Sequence, residues 1–231
     1  MAKKINKSQL TKIDGMKSLL KILGEDNFIK AVIENTYFFS PRLVHSRFEE
    51  LSKLIFDGND IPARKSTQDE LYRIEGEKLF FVDKGFECPV KLDKDGNAEV
   101  RRIINAKTGY TISQGKKSIF QNYFISHVWG RAYDPRYFTS LWNLAIVPAW
   151  ANSLMDKMAD EESDELEHLA AKLKSTVETV CWNLYEMEKL GWSNLKMEKP
   201  QRISSVNVDS QTFLVHVFSG DLCITEMNLT I

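Results

Sequence analysis

The segments FISHVWG (residues 124–130), LWNLAIVP (141–148) and WANSLMDK (150–157) decide the fold of this chain. Residues 109–112 and 119–129 predict two strands, joined as a hairpin by SQGKK (113–117). Residues 150–158 predict the start of a helix. The centre of the chain is therefore expected to be a β-hairpin that leads into a helix.

The first third of the chain predicts helices. Apolar residues recur at helical spacing over residues 10–23 and again over 28–33. Ser40 and Pro41 predict the start of a third helix, because Ser can cap a helix and Pro at its first position loses no needed hydrogen bond. We expect this third helix to end near Gly58.

The middle of the chain predicts a linker and then short strands. Residues 61–70 turn polar, which favours a linker. Residues 79–82, 90–92 and 99–104 predict strands, and Asp95-Gly96 between the last two is typical of a hairpin turn.

The last third predicts one long helix and several strands. Apolar residues over 166–187 form an amphipathic stripe that stops at Gly191. Residues 203–208, 213–218 and 222–225 alternate like strands. Together the elements predict an α+β fold with a helical N-terminal region (1–75), a β-rich central region (76–158) and a C-terminal helix with strands (159–231).

The composition is that of an ordinary soluble globular protein. Hydrophobic residues make up 43% and charged residues 27%, and 231 residues suffice for a full core. No signal peptide and no membrane-spanning apolar run can be recognised, so we expect a cytoplasmic protein without a membrane partner. The three widely spaced cysteines cannot form a four-thiolate zinc site or a disulfide scaffold. The net charge of −1 means that any contact with nucleic acid requires a local basic patch.

The central segments resemble the core motif of the HNH (ββα-metal) endonucleases. His127, Asn143 and Asn152 stand at the positions of the three letters of that motif, within residues 109–158. The resemblance implies a ββα-metal core flanked by the helical N-terminal region and the C-terminal elements. It implies that His127 is the general base, that Asn143 holds the histidine strand and its loop in orientation, and that Asn152 is a metal ligand from the helix.

The chemistry of phosphodiester hydrolysis is consistent with this resemblance. The reaction requires a deprotonated water and a cation that stabilises charge on the phosphate. Histidine suits the first task, because its pKa of about 6.5 leaves it partly neutral at neutral pH. Mg²⁺, with Mn²⁺ as a possible substitute, suits the second.

The sequence departs from the family pattern at Ser126. Family members usually carry an acidic residue or histidine there as a metal ligand, and a neutral hydroxyl is a poor substitute for a carboxylate. Three alternatives stay open: Ser126 coordinates the metal weakly, another acid such as Asp134 or Asp156 compensates, or the site is impaired. Asp156 follows Asn152 by four residues, which places both on one face of the predicted helix. The cysteine pairs of many family members are also absent.

Basic residues near the motif are candidates for phosphate contacts, because Lys and Arg bind phosphates without reading sequence. These residues are Lys116, Lys117, Arg131, Arg136 and Lys157.

The resemblance favours a type II restriction-type endonuclease that cuts double-stranded DNA, and a palindromic target would favour a homodimer. Two alternatives stay open. One is a non-specific defence or toxin nuclease, and the other is a non-catalytic DNA-binding or partner-binding protein that keeps the fold.

Overall fold

The computed structural model describes residues 15–65, 69–93, 95–112, 118–155, 164–202 and 210–231. Helices and strands alternate irregularly along this part of the chain, and the strands form two sheets, so the fold is α+β as predicted. The helices are α1 (Gly15–Leu23), α2 (Glu25–Glu34), α3 (Pro41–Phe56), α4 (Ala98–Thr108), α5 (Pro135–Phe138), α6 (Ala149–Met155) and α7 (Asp164–Leu184). The strands are β1 (Tyr37–Phe39), β2 (Ile61–Arg64), β3 (Tyr72–Glu75), β4 (Lys78–Asp83), β5 (Phe86–Asp93), β6 (Tyr123–His127), β7 (Leu144–Pro148), β8 (Thr212–Gly220) and β9 (Cys223–Thr230).

A five-stranded sheet has the order β6-β7-β1-β8-β9. The short strand β1 lies at its centre, antiparallel to β7 and parallel to β8. All five residues of β7 are buried, as expected for an apolar strand with neighbours on both sides. The N-terminal region therefore contributes a central strand and is not helical throughout.

A four-stranded sheet has the order β2-β5-β4-β3. Its outer strand β2 pairs in parallel with β5, with Ile61 opposite Val90. The prediction of a linker over residues 61–70 is wrong for β2, because Ile61 and Ala63 are fully buried on alternate positions.

The segment after β5 is a helix, so the prediction of a strand over residues 99–104 is wrong. Val100, Ile103 and Ile104 are buried at helical spacing in α4. The Asp93 carboxylate accepts hydrogen bonds from the backbone of Asp95 and Glu99, at 3.0 and 2.8 Å. The Asp95-Gly96 turn therefore leads into a helix rather than closing a hairpin.

The prediction that residues 109–112 and 119–129 pair as a hairpin is wrong. Gly109 ends α4 with φ of +75°, residues 110–112 form no strand, and β6 pairs with β7 instead. Only Tyr123–His127 of the second predicted segment is a strand.

The other predicted helices and strands are confirmed within the described residues. Ser40 caps α3 by accepting a hydrogen bond from Leu43 N at 3.4 Å, and Pro41 is its first residue. The helix start α6 and the strands β4, β8 and β9 lie where the patterns place them. The long helix α7 is also confirmed, but it ends at Leu184 rather than at Gly191. The predicted strand at 203–208 and the first residues of the first predicted helix lie outside the described residues.

Candidate functional site

Strands β6 and β7 pair with each other and helix α6 follows β7, and these three elements form a ββα unit. The two strands are antiparallel, with His127 opposite Leu144 and Tyr123 opposite Pro148. Helix α6 follows β7 without a loop and packs against both strands. The backbone N–H of Ala149 donates to Asn122 O at 2.7 Å, which ties the start of the helix to the start of the hairpin.

His127 is the last residue of β6 and is half-buried. Its Nε2 lies 3.0 Å from Phe138 O, and its ring stacks on the Phe138 ring with centroids 5.7 Å apart. A carbonyl oxygen can only accept a hydrogen bond, so this contact places a hydrogen on Nε2. The basic lone pair of the neutral imidazole is then on Nδ1.

Asn143 is the residue before β7 and is fully buried. Its Oδ1 accepts from Trp129 N at 2.8 Å, and its Nδ2 donates to Gly130 O at 3.0 Å and to Tyr137 O at 3.2 Å. Its own carbonyl accepts from Val128 N at 2.8 Å. One residue therefore holds the turn that follows His127 and the loop that returns to β7.

Two of the three predicted metal ligands lie in the described residues, and both offer neutral oxygens. Asn152 lies on α6 with its Oδ1 buried, and Ser126 is 2% exposed on β6. Ser126 Oγ has no hydrogen-bond partner among the described residues. Asp156 lies outside them.

The described donors do not by themselves fit a Mg²⁺ ion. Mg²⁺ is usually bound by one or two carboxylates together with water and phosphate oxygens. Within the described residues no group of three or more His, Cys, Asp or Glu side chains could hold a metal, and Ser126 and Asn152 add no charge. These residues alone therefore do not account for a metal-dependent step.

Asp134 forms a buried ion pair with Arg136 and is already engaged by it. Nε of Arg136 lies 2.9 and 3.1 Å from the two carboxylate oxygens, and Nη2 lies 2.7 Å from Oδ2. Arg136 also reaches Asp83 at 3.1 Å and lies over the ring of Phe86, 4.3 Å from its centroid. Burial opposes the charge on Arg136, but the two carboxylates outweigh it and raise the pKa of the guanidinium.

This geometry disfavours two of the expected roles. Asp134 caps α5 and neutralises Arg136, so it is not positioned to replace an acidic ligand at Ser126. Arg136 is 5% exposed and joins two loops, which is the position of a structural arginine.

Among the five basic residues proposed to contact phosphate, Arg131 is described and exposed, in the turn after His127. Its guanidinium lies over the ring of Tyr137, 5.5 Å from the centroid. Lys116, Lys117 and Lys157 lie outside the described residues.

A cleft next to this turn contains basic residues that the sequence patterns do not single out. Lys84, Lys196 and Arg202 line it together with Arg131. They come from distant parts of the sequence and belong to no motif, so no local pattern indicates that they meet.

The ββα unit lies inside the region matched by a protein-family model. The family is described as Uncharacterised protein PM1201, and its model matches residues 39–211, which is most of the chain. The chain belongs to this family. No curated protein and no solved structure matches it. Among the described residues of this PM1201 family member, no helix has both the length and the apolar character needed to cross a membrane.

Proposed function

We propose that this chain is an HNH-type nuclease that hydrolyses phosphodiester bonds of double-stranded DNA, with His127 as the general base. One observation carries the proposal. The three motif residues occupy a strand end, the residue before the paired strand and the following helix, and Asn143 bonds the turn after His127 on both sides.

His127 is oriented for proton transfer from water. Phe138 O holds the hydrogen on Nε2, so the proton of the attacking water passes to Nδ1. As the new P–O bond forms, the P–O bond to the leaving sugar oxygen breaks, and that oxygen takes a proton from solvent. The stacked Phe138 ring and the bonds of Asn143 restrict the imidazole, which reduces the reorganisation needed during the reaction.

The dependence on Mg²⁺ or Mn²⁺ belongs to the same proposal and requires a charged ligand from outside the described residues. Asp156 is our candidate, because it follows Asn152 by four residues in the sequence. A sequence-specific, restriction-type reaction by a homodimer in the cytoplasm is the finer form of the proposal and rests on the sequence resemblance.

A non-catalytic nucleic-acid-binding protein is the second candidate. Ser126 favours it, because a buried hydroxyl replaces the acidic ligand usual in this motif and neither Ser126 nor Asn152 carries charge. Such a protein would keep the ββα unit as a scaffold and would bind DNA without cutting it.

Plasmid cleavage at neutral pH with Mg²⁺ or Mn²⁺ separates the two candidates. We expect the wild type to cut, and His127→Ala and Asn152→Ala to lose cleavage, whereas His168→Ala keeps it. His168 is the matched control, because its side chain is 60% exposed and lies on α7.

Discrete fragments would establish a sequence-specific enzyme, and a smear would establish a non-specific one. EDTA should abolish either pattern. No cleavage by the wild type on any DNA would overturn the nuclease proposal in favour of the binding protein, and cleavage that survives His127→Ala would overturn the role of His127.

A further inference from the structure

The cleft next to the ββα unit has a volume of about 660 Å³. Its walls come from the β4–β5 turn, the turn after His127 and the segment that follows Leu195. Six basic side chains line it against two acidic ones, in a chain whose net charge is −1. The positive charge is therefore a local property of this cleft.

Two of the six basic residues are neutralised by neighbours. Arg136 binds Asp134 and Asp83, and Lys199 binds Glu188 at 2.7 Å. This leaves four basic residues for which the described part of the chain shows no carboxylate within 4.0 Å. They are Lys84, Arg131, Lys196 and Arg202, and all four are exposed.

Three of these four residues have an unusual backbone conformation. Lys84, Arg131 and Lys196 have φ values of +46°, +51° and +51°. The left-handed region costs a non-glycine residue roughly 1 kcal/mol or more, and such residues tend to occur at functional sites. Three separate turns thus present a basic side chain to one cleft at a conformational cost.

The wall of the cleft also contains a buried hydrogen-bond donor that has no acceptor in the described part of the chain. Trp129 lines the cleft and is 5% exposed, and its indole Nε1 has no partner among the described residues. Buried donors are nearly always paired in folded proteins.

The cleft is continuous with the turn that carries His127. Gly130 N donates to His127 O at 3.0 Å, and Trp129 and Arg131 on either side of Gly130 line the cleft. Arg131 therefore lies four residues after His127, on the side of this turn that borders the cleft.

We propose that this cleft binds the phosphate backbone of double-stranded DNA and leads it to His127. The four basic side chains are better suited to a ligand with a row of phosphates than to a ligand with a single carboxylate. Each side chain can neutralise a different phosphate. The position of His127 at the end of this path rests on the proposed function, whereas binding in the cleft does not.

The test measures binding of a fluorescent 20-base-pair duplex by anisotropy in EDTA, over a series of salt concentrations. The cleft variant is Lys84→Gln, Lys196→Gln and Arg202→Gln combined, in the full chain. The matched control is Lys21→Gln, Lys53→Gln and Lys78→Gln, three exposed lysines outside the cleft. Thermal unfolding of both variants establishes that they fold.

We expect the cleft variant to bind at least tenfold more weakly at low salt. The slope of log K against log salt should fall by roughly three, since each phosphate contact contributes about one. The control should bind like the wild type. Equal binding by the two variants, or no binding by the wild type, would overturn the proposal.

A cleavage assay on the same proteins separates this inference from the proposed function. If the cleft variant loses binding while the wild type cuts no DNA, the cleft is a DNA site and the nuclease proposal fails. If the wild type cuts DNA and the cleft variant binds as well as the control, the nuclease proposal stands and the cleft proposal fails.

Discussion

Asn143 Oδ1 accepts a hydrogen bond of 2.8 Å from Trp129 N, which joins the residue before β7 to the turn after β6. The same side chain donates to Gly130 O and Tyr137 O, so a single buried amide uses its acceptor and its donors on three backbone groups. Backbone groups in an irregular buried loop need such partners, because no ladder satisfies them. Asn143 thereby fixes both the position of His127 and one wall of the basic cleft.

Replacing Asn143 by Ala should destabilise the protein by about 2–4 kcal/mol, because three buried backbone groups lose their partner. Urea unfolding at pH 7 measures the change. Asn105→Ala is the control, since Asn105 also bonds through Nδ2 but is exposed, and its loss should cost less than 1 kcal/mol. An Asn143→Ala variant as stable as the control would show that the loop does not depend on this amide.

Replacing Arg136 by Met should cost about 3–5 kcal/mol, because the Asp134 carboxylate would remain buried without its cation. Adding Asp134→Asn should recover much of the loss, since Asn removes the charge and still caps α5. The free energy of unfolding of both single variants and the double variant gives the coupling. Arg131→Met should change stability little, and strictly additive effects at 134 and 136 would contradict a coupled pair.

Cys88 should make the protein less stable at alkaline pH. Burial first, and then the charge of Asp134, raise the pKa of its thiol from 9.0 to about 12. Below pH 9 the thiol is protonated in both the folded and the unfolded chain. Between pH 9 and 12 the unfolded chain releases the proton first, so stability falls as pH rises through this window.

The measurement is urea unfolding of the wild type and Cys88→Ala at pH 8 and pH 10. From pH 8 to pH 10 the wild type should lose about 1 kcal/mol more than the variant. Equal losses in the two proteins would show that the Cys88 thiol has the same pKa in the folded and the unfolded chain.

The helices could be predicted because their apolar stripes repeat at helical spacing over many residues. The wrong predictions of secondary structure have local causes. Strand β7 was missed because LAIVP is apolar throughout, and an unbroken apolar run does not distinguish strand from helix. Helix α4 was predicted as a strand because Val100, Ile103 and Ile104 are β-branched, although their spacing is helical.

The candidate site could be predicted only where its residues belong to a motif. His127, Asn143 and Asn152 are spaced along one segment of 26 residues in the sequence. The cleft instead combines Lys84, Arg131, Lys196 and Arg202, which meet only because the β4–β5 turn and the segment after Leu195 approach the same turn. Tertiary contacts of this kind leave no periodic signal in a single sequence.

Replacing Ser126 by Asp tests whether this position faces a cation. The new carboxylate would be buried, because Ser126 is 2% exposed and its Oγ has no partner among the described residues. In EDTA the Ser126→Asp variant should therefore unfold at a lower temperature than the wild type, since a buried charge without a partner is costly. Ser126→Asn, which adds nearly the same volume without charge, should show a smaller loss that Mg²⁺ does not change.

Added Mg²⁺ should restore the stability of Ser126→Asp if Asn152 shares the ion. A ligand at 100 times its Kd stabilises the folded state by about 2.7 kcal/mol, which corresponds to roughly 5–10 °C for a chain of this length. Asn152→Ala in the same background should reduce that rise, and Asp156→Asn should reduce it further if Asp156 supplies the charge. If Mg²⁺ leaves the unfolding temperature of Ser126→Asp unchanged, Ser126 and Asn152 do not face one cation, and the function of the ββα unit must be sought without a metal at this position.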